Sequence, residues 1–549
     1  VHIDTGDPMP EGFDAVIMIE DVHFLDDKTF EITAAVSPWE NVRPIGEDVV
    51  ATEMILPANH LIRPVDIGAI LAGGLIEIKV HPKPKVALIP TGNELVQPGS
   101  ELKKGSIIEY NSRVLGAYIT QWGGRPERRE IAPDNFDELD EALTEALDKA
   151  DIVIINAGSS AGREDYTSSL IKRRGTLLTH GIATKPGKPV VLGCVSGKPV
   201  IGIPGYPVSA ILAMQLFVQP IISRRLGMPM PHTAITDAIA SRKIVSSLGS
   251  EEFIRVKLGK VGEKFIATPM TRGAGIITSL VRADGIVRIP RLSEGVHAGE
   301  EIKVELLRPV KDIENTTVAI GSHDMILDLI ANYIAEFYPG SGLSSAHVGS
   351  MGGLAALRRG EAHMAGTHLL DDDTGDYNVS YIERILPGEQ VVLINLVYRQ
   401  QGYMVAPGNP LGITSVQDLA RPDVKFINRQ RGAGTRVLLD YKLKEEGIDP
   451  TEIVGYEREE FTHTAVAAAV ASGSADVGLG IMAAAKALKL DFVPLLEERY
   501  DLCIPRKFWD TPFIDRVRRV IKTSQFREEV EGLGGYSLRD CGEVMWEKR

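Results

Sequence analysis

Several features are scarce in this chain, and each scarcity removes a class of protein. Only three cysteines, Cys194, Cys503 and Cys541, occur among 549 residues, and none belongs to a CxxC pair. Thiols so few and so widely spaced build neither a disulfide framework nor a zinc site, and they read as the reduced thiols of a cytoplasmic protein. No apolar run approaches the ~18 residues that a membrane-crossing helix requires, so no membrane role is expected. Positive charge is in deficit, since 60 Lys and Arg face 74 Asp and Glu and leave a formal net charge of -14. A general nucleic-acid binder needs a basic footprint, and none is predicted here. Short-period repeats and low-complexity tracts are also missing. Val1 enters the run VHIDTGDPMPEGFDAVIMIEDV in mid-pattern, as though residues precede it, and no targeting segment is visible.

What is present has ordinary globular proportions, 44% hydrophobic and 24% charged. At roughly 150 residues per domain the length suggests three or four domains. Residues 1–80 are dense in turns and short strands, as in TGDPMPEG, SPWENVRP and LPANHLIRP. Residues 81–228 alternate strand and helix. Short strands return over 229–310, which predicts a small β-barrel. The stretch PVKDIENT then reads as a linker into a second α/β module over 314–549. The predicted fold class is therefore α/β and multidomain.

Five glycine-punctuated blocks in the 81–228 region carry the chemistry: VALIPTGNELVQPG, IAPDNFDELDEAL, NAGSSAGREDYTSSL, THGIATKPGKPVV and IGIPGYPVSA. Each is expected where a strand ends and a helix begins. An open parallel sheet collects such loops at the carboxyl ends of its strands, so they should converge on one crevice. Gly158, Ser159 and Ser160 form a turn of free backbone amides ahead of a helix, an anion site, although tight turns need glycine in any case. Asp165 sits where an acid also favours the helix dipole. Lys185 and Lys188 bracket a Pro-Gly turn and suit a phosphate or oxyanion, while either lysine alone reads as a solvated loop residue. Glu94 follows a strand end, and Asp134 opens an acidic helix that it could simply cap. Gly205 lets backbone approach a ligand, Pro207 starts a helix and Ser209 can cap it. Jointly these groups predict an anionic, phosphate-bearing substrate with a divalent metal. The histidines carry little signal, and a metal site of His363 and His368 with Asp371, Asp372 and Asp373 is disfavoured.

In order and spacing, TGDPMPEGFDAVIMIED, RPIGEDV, IPTGNEL, GREDYT, KPGKP and IPGYPVSA resemble the molybdopterin molybdotransferase family, the MoeA type that includes the gephyrin E domain. The resemblance covers residues 1 to about 310. It implies a MogA-like parallel α/β domain flanked by β-rich domains, working as a homodimer. It further implies insertion of molybdate into adenylylated molybdopterin with release of AMP and with Mg2+ assisting. Thr5 and Asp48 then match functional positions on the β-rich side of the cleft. Glu94, Asp134 and Asp165 match the acidic cluster, with Glu94 nearest the molybdate and all three as magnesium ligands. Lys185 and Lys188 match the family's anion-holding lysines and Pro204 and Pro207 the prolines of the pocket rim, and Gly158, Ser159, Ser160, Gly205 and Ser209 join them as expected substrate-binding residues. Contact with the molybdopterin adenylyltransferase is a further expectation. Asn93, Asn156-Ala157-Gly158 and Tyr206 depart from the family pattern, and the family's Asp-Gly-Tyr-Ala segment is not in the sequence. The alternatives are a sensor or scaffold that kept the pocket without turnover, or a molybdopterin adenylyltransferase.

Residues 314–549 resemble the type 2 periplasmic-binding-protein fold, as in the effector domains of LysR-type and molybdate-responsive regulators. The matching stretches are VAIGSHDMILDLI, YMVAPGNPLGITSVQDLA and NRQRGAGTRVLLD. The resemblance implies two lobes, about 314–404 with 500–549, and 405–499. Ser322, Ser350 and Thr435 lie in turns that precede helices, and Arg429 and Arg436 add charge, which predicts an oxyanion or small-ligand cleft. Molybdate is the expected guest, with the pterin as the organic alternative.

Overall fold

Continuous apolar runs, rather than alternating ones, decide the centre of the first α/β domain. The computed structural model describes residues 1–157, 166–270, 273–371 and 375–548. The predicted turn Gly158, Ser159 and Ser160, the predicted ligand Asp165, and Asp372 and Asp373 lie outside the described residues. Strands β1 (Lys85–Thr91), β2 (Arg125–Arg128), β3 (Ile152–Ala157), β4 (Thr176–His180), β5 (Val191–Val195) and β6 (Lys198–Pro204) form one sheet ordered β2-β1-β3-β6-β5-β4. Val86, Leu88, Ile152 and Ile154 face one core with helices α1 (Asn111–Gln121) and α4 (Pro207–Ala213). Ala87, Ile89, Val153 and Ile155 face the other with α2 (Phe136–Lys149) and α3 (Tyr166–Arg174). Burial on both faces is what a parallel strand between two helix layers demands.

The sheet is not wholly parallel as expected. β2, β1, β3 and β6 run parallel, but β5 is antiparallel to both of its neighbours. The cause is local: Ser196 and Gly197 both take positive φ, 50° and 75°, and a two-residue turn of that kind folds β5 straight back into β6. β4 therefore points the same way as the parallel set. The KPGKP stretch follows it as a strand-to-strand excursion, not as the start of a helix.

A closed barrel follows, of β7 (Ile235–Ala240), β8 (Glu251–Val261), β9 (Lys264–Pro269), β10 (Gly285–Ile289) and β11 (Glu301–Leu306). Their order is β9-β7-β11-β10-β8, and β8 pairs back with β9. The two-residue strand Thr184–Lys185 extends this sheet beside Glu251 and Glu252, tying the barrel to the α/β domain. The N-terminal 80 residues contrast with both. They hold a hairpin of Val22–Phe24 with Phe30–Ile32 and a helix Pro64–Ala72, and only Asp66 and Ile70 are buried.

The C-terminal module has the expected two-lobed form. β12 (Thr316–Gly321) and β13 (Gly342–His347) pair in parallel in one lobe. β14 (Ala365–Thr367) pairs with the long crossover strand β18 (Asp491–Pro505), which runs antiparallel to its crossover partner β15 (Val391–Val405) through both lobes. β16 (Phe426–Arg429) and β17 (Val477–Ile481) complete the second lobe. Val261 and Ile266 of the barrel share one apolar core with Val318 and Ile320 of the first lobe. The barrel and that lobe are thus built on a single packed interior. No helix among the described residues is long and apolar enough to cross a membrane.

Candidate functional site

Three strand ends stand level at one edge of the α/β sheet. Thr91 of β1 is opposite Ala157 of β3, and Ala157 is opposite Pro204 of β6. Neighbouring strands lie about 4.8 Å apart, so the loops that follow these three emerge within ~10 Å of one another. An asparagine clamp, with Asn156 buried and Asn111 half-buried, holds the edge. Asn156 Nδ2 donates to the Pro204 carbonyl at 2.8 Å, and Asn111 Nδ2 donates to Asn156 Oδ1 at 3.1 Å and to the Gly205 carbonyl at 2.6 Å. Sequence reasoning passed over Asn111, although an asparagine opening a helix beside a strand-end asparagine was the available signal.

The Glu94 carboxylate folds back over Gly92. A Cβ at Gly92 would lie 2.9 Å from Glu94 Oε1, so a larger residue would displace the carboxylate, and φ at Gly92 is +149°, a conformation that favours glycine. Asn93 Oδ1 accepts the Asp134 N–H at 3.2 Å, which draws the Asp134 loop to the same place. Asp134 is exposed and does not cap its helix. Asn135 does so, accepting from the N–H groups of Asp137 and Glu138. Among the described residues the Asp134 carboxylate has no hydrogen bond or ion pair, and the capping alternative is set aside.

The lysine loop lies on the same side. A Cβ at Gly187 would sit 3.8 Å from the Ser209 carbonyl and 4.0 Å from Leu212, so KPGKP rests against the start of α4. Lys188 is exposed, and Lys185 Nζ is 3.7 Å from Glu252 Oε1 of the barrel. Pro207 begins α4 as expected, but the capping position is Tyr206, and Ser209 is buried inside the first turn. Ser209 is therefore no cap. Tyr206 leans on Gly275, and Val208 N–H donates to the Ala274 carbonyl at 3.0 Å, so the barrel roofs this end of the cleft. Thr5 and Asp48 are exposed, and among the described residues no hydrogen bond or ion pair joins either to the α/β domain.

The C-terminal cleft is built differently, from buried groups. Helices α5 (Met325–Phe337), α6 (Gly349–Arg358), α7 (Gly434–Glu445) and α8 (His463–Ala471) all begin there. Ser322 Oγ lies 2.8 Å from His368 Nε2, and His368 N–H donates to Ser350 Oγ at 3.3 Å. Gln401 Nε2 donates to Thr435 Oγ1 at 3.1 Å. Arg399 is ion-paired with both Asp324 and Glu498. Arg429 is 1% exposed, and among the described residues its Nε and Nη1 have no hydrogen-bond partner. The same is true of both ring nitrogens of His463 and of Nδ1 in His323 and His347. Buried polar groups without partners are rare in native proteins, and a cluster of them marks a place made for a guest. Burial, reinforced by the His347 and Arg429 charges, pushes the His323 pKa well down. Burial and then Arg429 take His347 to about 4, with Arg282, Arg242 and Lys257 of the barrel adding to the effect.

Ser322, Ser350, Arg429 and Thr435 are thus gathered as expected, and Arg436 is not. Its guanidinium bonds Asp440 at 3.0 Å and Glu459 at 3.2 Å and lies over the Tyr456 ring, all within the second lobe. The histidines were underrated. His363 is core, stacked on Phe513, but His323, His347, His368 and His463 all line the cleft. His347 ends a strand, His368 directly follows one, His463 starts a helix and His323 stands two residues past a strand end, and that was the missed cue.

The chain matches four family descriptions in order: MoeA N-terminal region (domain I and II) over 1–74, probable molybdopterin binding domain over 87–224, MoeA C-terminal region (domain IV) over 237–307, and PBP superfamily domain over 331–522. A putative molybdopterin biosynthesis protein of Methanocaldococcus jannaschii is 32% identical over 312 residues, 55% of this chain and 75% of that one. The molybdopterin molybdenumtransferase of Haemophilus influenzae is 30% identical over 311 residues, 56% of this chain and 76% of that one. A solved molybdopterin biosynthesis MoeA protein of a Pyrococcus species is 34% identical with a TM-score of 0.45, covering 54% of this chain and 72% of its own.

Proposed function

This chain belongs to the molybdopterin molybdenumtransferase family, and from that premise we propose that its α/β cleft inserts molybdenum from molybdate into adenylylated molybdopterin and releases AMP. The observation that carries the reading is the level row of strand ends at Thr91, Ala157 and Pro204, which brings the Glu94, Asp134 and Gly205 loops together with the lysine loop beside them. Both reactants are anions and repel each other, so a site for them must supply positive charge and hold both in register. Lys185 and Lys188 supply charge from one rigid loop, Gly205 allows close backbone approach, and Glu94 orients the oxyanion at the strand end. Glu94 and Asp134 offer hard oxygen donors, the chemistry that suits Mg2+, with Asp165 as the third expected ligand. Bound there, the metal would offset phosphate charge.

The protein works as a homodimer in the cytoplasm in this reading. Residues 1–80 bury almost nothing, yet expose Trp39, Ile45, Met54 and Ile76, and an apolar surface of that kind calls for a covering partner. A second copy would also bring Thr5 and Asp48 to a cleft to which, among the described residues, no hydrogen bond or ion pair joins them. The C-terminal module binds an oxyanion, molybdate first among candidates, through Arg429, Ser322, Ser350 and Thr435. The test uses the full chain because the C-terminal module shares its core with the barrel. AMP release from adenylylated molybdopterin should require molybdate. Release without molybdate, or ATP consumption with free molybdopterin, would overturn the reading.

A further inference from the structure

This inference rests on the reading that the C-terminal cleft holds an oxyanion, and it concerns what enters with that oxyanion. Glu498, His368 and Ser322 form a hydrogen-bonded chain: Glu498 Oε2 is 2.9 Å from His368 Nδ1, and His368 Nε2 is 2.8 Å from Ser322 Oγ. All three are buried. The polarity of each bond can be assigned. Burial favours a protonated Glu498, but the guanidinium of Arg399, ion-paired with it, outweighs burial and holds the carboxyl below its usual range, so it is ionised. An ionised carboxylate only accepts, and His368 Nδ1 must therefore carry a hydrogen. Burial lowers the His368 pKa and so disfavours the charged ring, with Glu498 working against it. In a neutral ring with hydrogen on Nδ1, Nε2 accepts, and Ser322 must donate its only hydroxyl proton to it. Ser322 then turns lone pairs alone toward the cleft, the wrong polarity for an oxyanion.

We propose that each oxyanion entering this cleft is accompanied by one proton, taken from solvent by His368 Nε2. The new N–H donates to Ser322 Oγ, and the Ser322 O–H is released to donate to the anion. One N–H bond forms, no other bond breaks within the protein, and the imidazolium charge offsets one charge of a dianion. Arg429 offsets the other.

The surroundings single out His368 among the four cleft histidines. Arg399 and Arg429 oppose its protonation, Tyr500 stacks on it at 5.7 Å, and Glu498 favours the charged ring. His463 and His347 feel Arg429 as well, and His323 feels His347, Arg429 and Arg399, but no carboxylate is bonded to any of them among the described residues. A dianion brought against this balance tips it toward the one ring that already has a carboxylate behind it. The same three-group chain activates serine nucleophiles in hydrolases. Here the unpartnered guanidinium and imidazole groups around it match a held anion better than an attacked carbonyl.

The experiment is calorimetric titration of the full chain with molybdate, sulfate and phosphate in buffers of different ionisation enthalpy at one neutral pH. Molybdate and sulfate remain dianions near neutrality, so a proton counted with either belongs to the protein. The expected heat varies with buffer ionisation enthalpy by about one proton per anion, and affinity falls about tenfold per pH unit as pH rises through the neutral range. In His368→Gln the buffer dependence should vanish while a weaker anion heat persists. Wild-type heat that is identical in every buffer overturns the proton inference and leaves the oxyanion reading standing. No heat from any of the three anions overturns both.

Discussion

The two clefts of this chain present their charge by opposite means. At the edge of the first sheet, Asn93, Asp134, Lys185 and Lys188 are exposed. In the C-terminal cleft, Ser322, Ser350, His368, Arg429, Thr435 and His463 are all at most 2% exposed. Exposed charges cost little to keep and can trade water, metal and products at each turnover. Buried ones are costly until a guest satisfies them, which makes a site that recognises rather than transforms. On the proposed reading, the difference separates a working site from a holding site within one polypeptide.

That contrast can be broken from either end. The largest effect is expected at Glu94. Glu94→Ala should lower molybdenum insertion by on the order of a hundredfold or more, as loss of a group aligned with reacting charge does. Its half-exposed position should keep melting within the range of an ordinary surface change. Cofactor yield unchanged in that variant would remove Glu94 from the chemistry, and with it the working half of the comparison.

Arg429→Gln comes next. Removing the buried guanidinium should weaken oxyanion binding in the C-terminal cleft by roughly ten- to a hundredfold, the worth of a charge-assisted hydrogen bond. Calorimetry reads this directly, and an unchanged affinity would mean that the buried charge serves the fold alone. The smallest effect on stability is expected at Lys185. Its pair with Glu252 spans 3.7 Å with the lysine half exposed, so Lys185→Ala should cost at most about 1 kcal/mol in denaturant melts. The same variant should raise KM for the anionic substrate. A large stability loss with KM unmoved would recast the lysine as a strut between the α/β domain and the barrel.

Much of the first site was readable because its signals are local. A strand such as VALIP, a glycine where Glu94 folds back and a proline opening α4 each announce themselves within a few residues. The errors were local too. Asn135 rather than Asp134 caps α2, because the cap is decided by which side chain meets the free N–H groups. The antiparallel β5 escaped notice because a two-residue turn at Ser196-Gly197 looks like any other loop. The C-terminal site was less readable, since its groups come from the ends of β12, β13, β14, β16 and the start of α8, with Glu498 and Arg399 on the crossover strands. Arg436 has the same residue type and neighbourhood as Arg429, yet nearby Asp440 and Glu459 neutralise it.

By itself the amino-acid order determined the family of the first three domains, the fold class of the fourth, and the loops that carry charge, because strand periodicity, glycine turns and helix starts are short-range properties. Tertiary structure alone decided which charges remain unspent. Pairing, burial and the direction of a hydrogen bond depend on partners tens or hundreds of residues away, and only packing brings Glu498 behind His368 and His368 behind Ser322.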